Sequence, residues 1–85
     1  MKTSALKISG SWLIEFQKFE DNRGYFYESF KEEDFRKQIG RPLSIKQTNT
    51  SSSSKGSVRG IHYALVPPSQ AKLVQCQRGS IKDYV

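Results

Sequence analysis

The chain has 85 residues, with 35% hydrophobic and 26% charged side chains, which is a globular composition on the polar side and room for one domain at most. Fourteen Lys and Arg against eight Asp and Glu give a formal net charge of +6, which suits an anionic partner, yet no run of five like charges forms a polybasic tail. A single cysteine, Cys76, excludes an internal disulfide and an all-cysteine metal site, and no stretch approaches the roughly 20 apolar residues that span a bilayer.

In chain order, Leu6-Lys7-Ile8 and Leu13-Ile14-Glu15-Phe16 alternate apolar and polar residues as half-buried strands do, with Ser9-Gly10-Ser11 as the turn between them. Asp21-Asn22-Arg23-Gly24 is a second turn, and the aromatic run Tyr25 to Phe30 is expected as a strand. Lys31 to Ile39 has the charge order of a helix: Glu32, Glu33 and Asp34 come early, Arg36 and Lys37 late. Gly40 and Pro42 supply its stop signal, and Ser29 with Glu32 has the spacing of a capping box.

Beyond the helix, Ile45, Gln47, Asn49 and Ser51 share one face of an expected strand by period-two alternation. Ser51 to Gly56 is either a plain flexible linker or an ordered loop over a pocket. Strands are expected over Val58 to Tyr63, Ala71 to Cys76 and Ser80 to Val85, separated by Pro67-Pro68 and by Arg78-Gly79. Cys76 is expected as an inert buried residue. The absence of an N-terminal apolar run, together with one cysteine, points to the cytoplasm. The whole chain is therefore expected to be one all-β domain, 1–85, with one short helix near residues 31–39.

Polar residues crowd the β blocks. Arg23, Glu28, Gln47, Asn49, Arg59, His62 and Lys72 all fall in or beside expected strands. Charges directed into a small β-structure are costly unless they are paired or bound to a ligand. Two Arg and a Lys suit a diphosphate, and His62, the one histidine, suits proton abstraction near neutral pH. The plainer alternatives are that His62 is a structural residue, that Arg59 and Lys72 are solvated edge charges, and that Gln47 and Asn49 only bond to neighbours. Arg59 and His62 lie an odd number apart, so one pocket receives both only if Gly60 breaks the strand's alternation.

Several linked motifs occur in order. Phe19-Glu20-Asp21-Asn22-Arg23-Gly24-Tyr25-Phe26-Tyr27-Glu28-Ser29-Phe30 is followed by Gln47-Thr48-Asn49-Thr50-Ser51 and then by Lys55-Gly56-Ser57-Val58-Arg59-Gly60-Ile61-His62-Tyr63. Pro67-Pro68-Ser69-Gln70-Ala71-Lys72-Leu73-Val74 and Gly79 to Val85 complete the series. Together they resemble the N-terminal part of the dTDP-4-dehydrorhamnose 3,5-epimerase family.

The resemblance implies a cupin-type jelly-roll or β-barrel, incomplete in this chain, working as a homodimer without metal or cofactor. It implies a dTDP-linked 4-keto-6-deoxy sugar as substrate, with inversion at carbons 3 and 5 by proton abstraction and return. His62 matches the family's general base, and Lys72 the cation beside the keto oxygen. Arg59 matches a diphosphate ligand, and Gln47 and Asn49 match polar contacts to the nucleotide-sugar. Phe19, Arg23, Phe26 and Glu28 match the residues that hold the nucleotide, some of them reaching from the partner subunit.

The departures carry expectations too. Family chains continue past this terminus and carry there a carboxylate that orients the histidine and a tyrosine that supplies a proton, so the 85 residues alone are expected to have little or no epimerase activity. Ala64-Leu65-Val66 after Tyr63 departs from the polar residue of many relatives. The rivals are a non-catalytic sugar-nucleotide binding module, and a single-strand nucleic-acid domain using Tyr25, Phe26 and Tyr27, which the scattered basic residues disfavour. A metal-binding cupin is disfavoured by one His and one Cys. Neither nucleic acid nor a membrane is an expected partner.

Overall fold

In a computed structural model covering residues 1–85, two short hairpins and a helix make up the regular structure. Strand β1, Lys2–Ala5, pairs antiparallel with β2, Trp12–Glu15, in the register Lys2↔Glu15 to Ala5↔Trp12. The turn therefore absorbs Leu6, Lys7 and Ile8, which were expected to be strand. It is closed by hydrogen bonds from Leu6 N to Ser11 O at 3.0 Å and from Ser11 N and Oγ to Ile8 O at 3.0 and 2.6 Å. Gly10 sits at φ +82°, a left-handed conformation that a side chain disfavours.

The second hairpin joins β3, Phe19–Asp21, to β4, Gly24–Phe26, through the expected Asn22-Arg23 turn. The strand expected through Phe30 ends at Phe26 because β3 offers a partner for three residues only.

Helix α1, Glu32–Ile39, follows. Its charge order is as expected, with Arg36 on Glu32 at 2.8 Å, and Gly40 at φ +85° closes it by donating its N–H to Arg36 O at 2.9 Å. The capping box does not form. The N-cap is Lys31, two residues past Ser29, and no side chain caps it.

Phe35 on α1 is the one buried hydrophobic side chain, 8% exposed, against the Phe30 ring at 5.7 Å. Gln38 ties the helix to β1, accepting from Thr3 Oγ1 at 3.2 Å and donating to Met1 O at 3.0 Å.

These elements belong to one of two compact units, residues 1–44 with Val85; the other is 45–84. The second unit contains no strand ladder, so the strands expected over Ile45–Ser51, Val58–Tyr63, Ala71–Cys76 and Ser80–Val85 do not form. Alternation of apolar residues creates a face to bury, but a strand also needs a neighbour to accept its backbone hydrogen bonds. Neither is supplied within this unit: Val58 and Ile61 are 95% and 96% exposed. For the same reason Cys76, expected to be buried, is exposed, its thiol 3.4 Å from Arg78 O. The regular structure is thus four short strands in two hairpins and one short helix, with no closed barrel.

Candidate functional site

The first unit carries the four residues expected to hold a nucleotide. The β3–β4 register places Phe19 directly across from Phe26, and both rings are more than half exposed. Beside them Phe19 and Glu28 line a shallow hollow with Phe16, Gln17, Lys31 and Asp34. The motifs gave no role to these last four. Asp34 carried one usable signal, its place among the acidic residues at the start of the expected helix.

Arg23 is engaged at the turn. Its backbone N–H donates to Asp21 Oδ1 at 2.8 Å, while Nε and Nη2 reach Asp21 Oδ2 at 3.1 and 2.6 Å. The guanidinium, and then the backbone N–H, hold the Asp21 carboxyl below the usual carboxylate range. An anion that takes the Nε–Nη2 edge of Arg23 competes with this carboxylate. Asp21 is thus the local partner of the candidate residue Arg23, and an acidic and a basic residue two apart across a turn is a legible pairing signal.

In the second unit, Gln47 donates to Asn49 Oδ1 at 3.1 Å, as side chains on one side of an extended segment do. The serine segment is an ordered loop. Ser57 N donates to Ser54 O at 3.2 Å around Lys55-Gly56, with Gly56 at φ +83°. Arg59 fastens that loop, donating from Nε to Ser53 Oγ at 2.8 Å and from Nη2 to Ser52 O at 3.1 Å. Two of its nitrogens are so held, which fixes the guanidinium plane.

Gly60 has φ +152°, a backbone conformation outside the strand region, in a segment that forms no strand. His62 and Lys72 are both exposed, and neither has a hydrogen-bond or ion-pair partner in the chain. No group of three or more His, Cys, Asp or Glu forms a metal cluster, and no helix is long and apolar enough to cross a membrane.

Comparison with known proteins decides the family. Residues 5–85 match the family model for dTDP-4-dehydrorhamnose 3,5-epimerase. The chain belongs to this epimerase family. A dTDP-4-dehydrorhamnose 3,5-epimerase of Mycobacterium tuberculosis (strain ATCC 25618 / H37Rv) is 44% identical over 85 residues, all of this chain and 42% of the relative. A dTDP-4-dehydrorhamnose 3-epimerase of Streptomyces niveus is 45% identical over all of this chain and 41% of its own length. The Shigella flexneri 3,5-epimerase is 44% identical over 98% of this chain and 46% of its own length. The chain spans less than half the length of these curated relatives, and no solved structure matches it. The epimerase-family match takes in every one of the site residues described above.

Proposed function

We propose that these residues form the N-terminal part of an epimerase site for a dTDP-linked 4-keto-6-deoxy sugar, on what becomes one cupin-type jelly-roll domain acting as a cytoplasmic homodimer. The observation that carries this reading is the family match over residues 5–85, which spans His62, Lys72 and the whole nucleotide-holding set.

The chemistry is elementary. The ketone at carbon 4 acidifies the protons on carbons 3 and 5. His62 removes one, leaving the electron pair delocalised as an enolate, and a proton returned to the opposite face inverts the centre. Lys72 places a cation at the developing enolate oxygen, where fixed charge lowers the barrier most. Arg59, its plane set by Ser53 and the Ser52 carbonyl, takes the diphosphate in a bidentate grip. Gln47 and Asn49 are already bonded to each other and offer their remaining donors and acceptors to the nucleotide-sugar. Phe19 and Phe26, side by side on one face of the hairpin, stack against the base, with Arg23 and Glu28 beside it.

A second reading is favoured by one observation: His62 has no partner that fixes its tautomer and ring orientation. On that reading the chain binds the nucleotide-sugar without turning it over.

Both readings require binding, which calorimetric titration with a dTDP-linked 4-keto-6-deoxy sugar measures. Arg59→Ala is expected to weaken affinity by about ten-fold or more, the loss of a charge-assisted contact. His62→Asn is expected to leave it within about two-fold. Absence of binding by the unaltered chain defeats the second reading, and absence of binding by the chain joined to the unmatched part of its Mycobacterium tuberculosis relative defeats both.

A further inference from the structure

Only one face of the β3–β4 hairpin is engaged by the reading above. Phe19↔Phe26 and Glu20↔Tyr25 are adjacent cross-strand pairs, so side-chain alternation sends the two Phe rings to one face and Tyr25 to the other. Behind the nucleotide face, the Tyr25 ring stacks on Tyr27 with centroids 6.0 Å apart, and Tyr27 meets Phe16 at 5.8 Å. At the outer end, Lys18 Nζ lies 4.4 Å from the Tyr25 centroid. Lys18, Tyr25, Tyr27 and Phe16 thus form one column from the hairpin back to the residue that follows β2. Phe16 also lines the hollow that holds Phe19 and Glu28.

The column matters because little else holds the hairpin. Its strands are three residues long, and an isolated two-stranded ladder is marginal in water. No hydrophobic side chain of the hairpin is buried. Ring contacts of this geometry and a cation over an aromatic face supply orientation that the backbone ladder lacks.

We propose that this column is the positioning device for the nucleotide face: Tyr25 and Tyr27, steadied by Lys18, set the spacing and tilt of Phe19 and Phe26, and so the selectivity for an aromatic base over a bare diphosphate. The proposal rests on the nucleotide-binding reading. It makes Tyr25 and Tyr27 positioning residues, since they act through the opposite face.

The test titrates the 85-residue chain with thymidine diphosphate and, separately, with inorganic pyrophosphate. Tyr25→Ala is expected to weaken thymidine diphosphate binding about three- to ten-fold while pyrophosphate affinity stays within about two-fold. Tyr25→Phe, which keeps the ring, restores the unaltered value, and Lys18→Met gives a smaller loss of about two-fold, again for the nucleotide only. Equal loss for both ligands means a general loosening of the unit and overturns the proposal, as does no loss for either. If the unaltered chain binds both ligands alike, the nucleotide reading itself fails and this inference falls with it. If it prefers the nucleotide and Tyr25→Ala keeps that preference, the inference alone fails.

Discussion

Truncating Phe35 to Ala should dissolve α1 while leaving the two hairpins in place. Phe35 is 8% exposed and is the chain's one buried hydrophobic side chain, so its contribution is not shared with a larger core. Burying a phenylalanine is worth about 1.5–3 kcal/mol, and an extended unfolded reference makes that an upper estimate, so about 2 kcal/mol is the working figure. Against it stands helix nucleation, which costs about 3–4 kcal/mol, and an eight-residue helix recovers little of that by propagation. The helix therefore exists because of its anchors, the Phe35–Phe30 contact and the two Gln38 hydrogen bonds. Losing about 2 kcal/mol changes the helix–coil ratio by about thirty-fold. Amide hydrogen exchange reads this directly at the N–H groups of Phe35 and Gly40, which donate to Lys31 O and Arg36 O. Protection there should fall by about that factor in Phe35→Ala and by much less in Phe35→Leu. Unchanged protection in the Ala variant would show that the helix is held by something other than this ring. Lys31 and Asp34 line the hollow beside Phe19 and Glu28, so the same variant should also weaken nucleotide binding.

Three further outcomes are expected. The Asp21 carboxyl is held below its ordinary range when folded, so its contribution to the turn is complete above about pH 4 and is lost as pH falls through the lower folded value; Asp21→Asn should remove that acid dependence of the Arg23 resonances. The same Asp21→Asn change frees the Arg23 guanidinium from its internal carboxylate, and thymidine diphosphate affinity should rise about two- to five-fold; a fall would mean that Asp21 holds Arg23 in its binding pose rather than competing for it. Ser53→Ala removes the acceptor for Arg59 Nε and should weaken pyrophosphate binding by about two- to ten-fold, measured by titration, with Ser53→Thr retaining the contact.

What the sequence made legible follows a physical divide. Features set by a few adjacent residues could be placed: the Asn22-Arg23 turn, the Gly40 helix stop and the charge order of α1. Features that depend on a distant partner could not. Ala71 to Cys76 has the composition of a strand, but composition does not say which backbone accepts its hydrogen bonds, and within residues 45–84 none does. Leu6-Lys7-Ile8 alternates like a strand, yet closure of the first turn from Leu6 N to Ser11 O claims it. The family was legible through linked motifs, because binding chemistry fixes residue types at set spacings. Ser53 on Arg59 was missed because a hydrogen bond between exposed side chains six residues apart leaves no periodic trace, whereas Asp21 and Arg23 carry a local one, opposite charges two apart across a turn.

The central claim is that His62 is the base that takes a proton from the carbon beside the ketone. Deuterium uptake from heavy water into a dTDP-linked 4-keto-6-deoxy sugar, followed by proton NMR at carbons 3 and 5, tests it most directly. The 85 residues are joined for this purpose to the part of the Mycobacterium tuberculosis relative that lies outside the match, since the match covers 42% of that protein. The joined protein should wash deuterium into carbon 3, carbon 5 or both, and His62→Asn should slow this by at least about a hundred-fold with substrate affinity retained. Uptake by His62→Asn at the unaltered rate would contradict the assignment of the base.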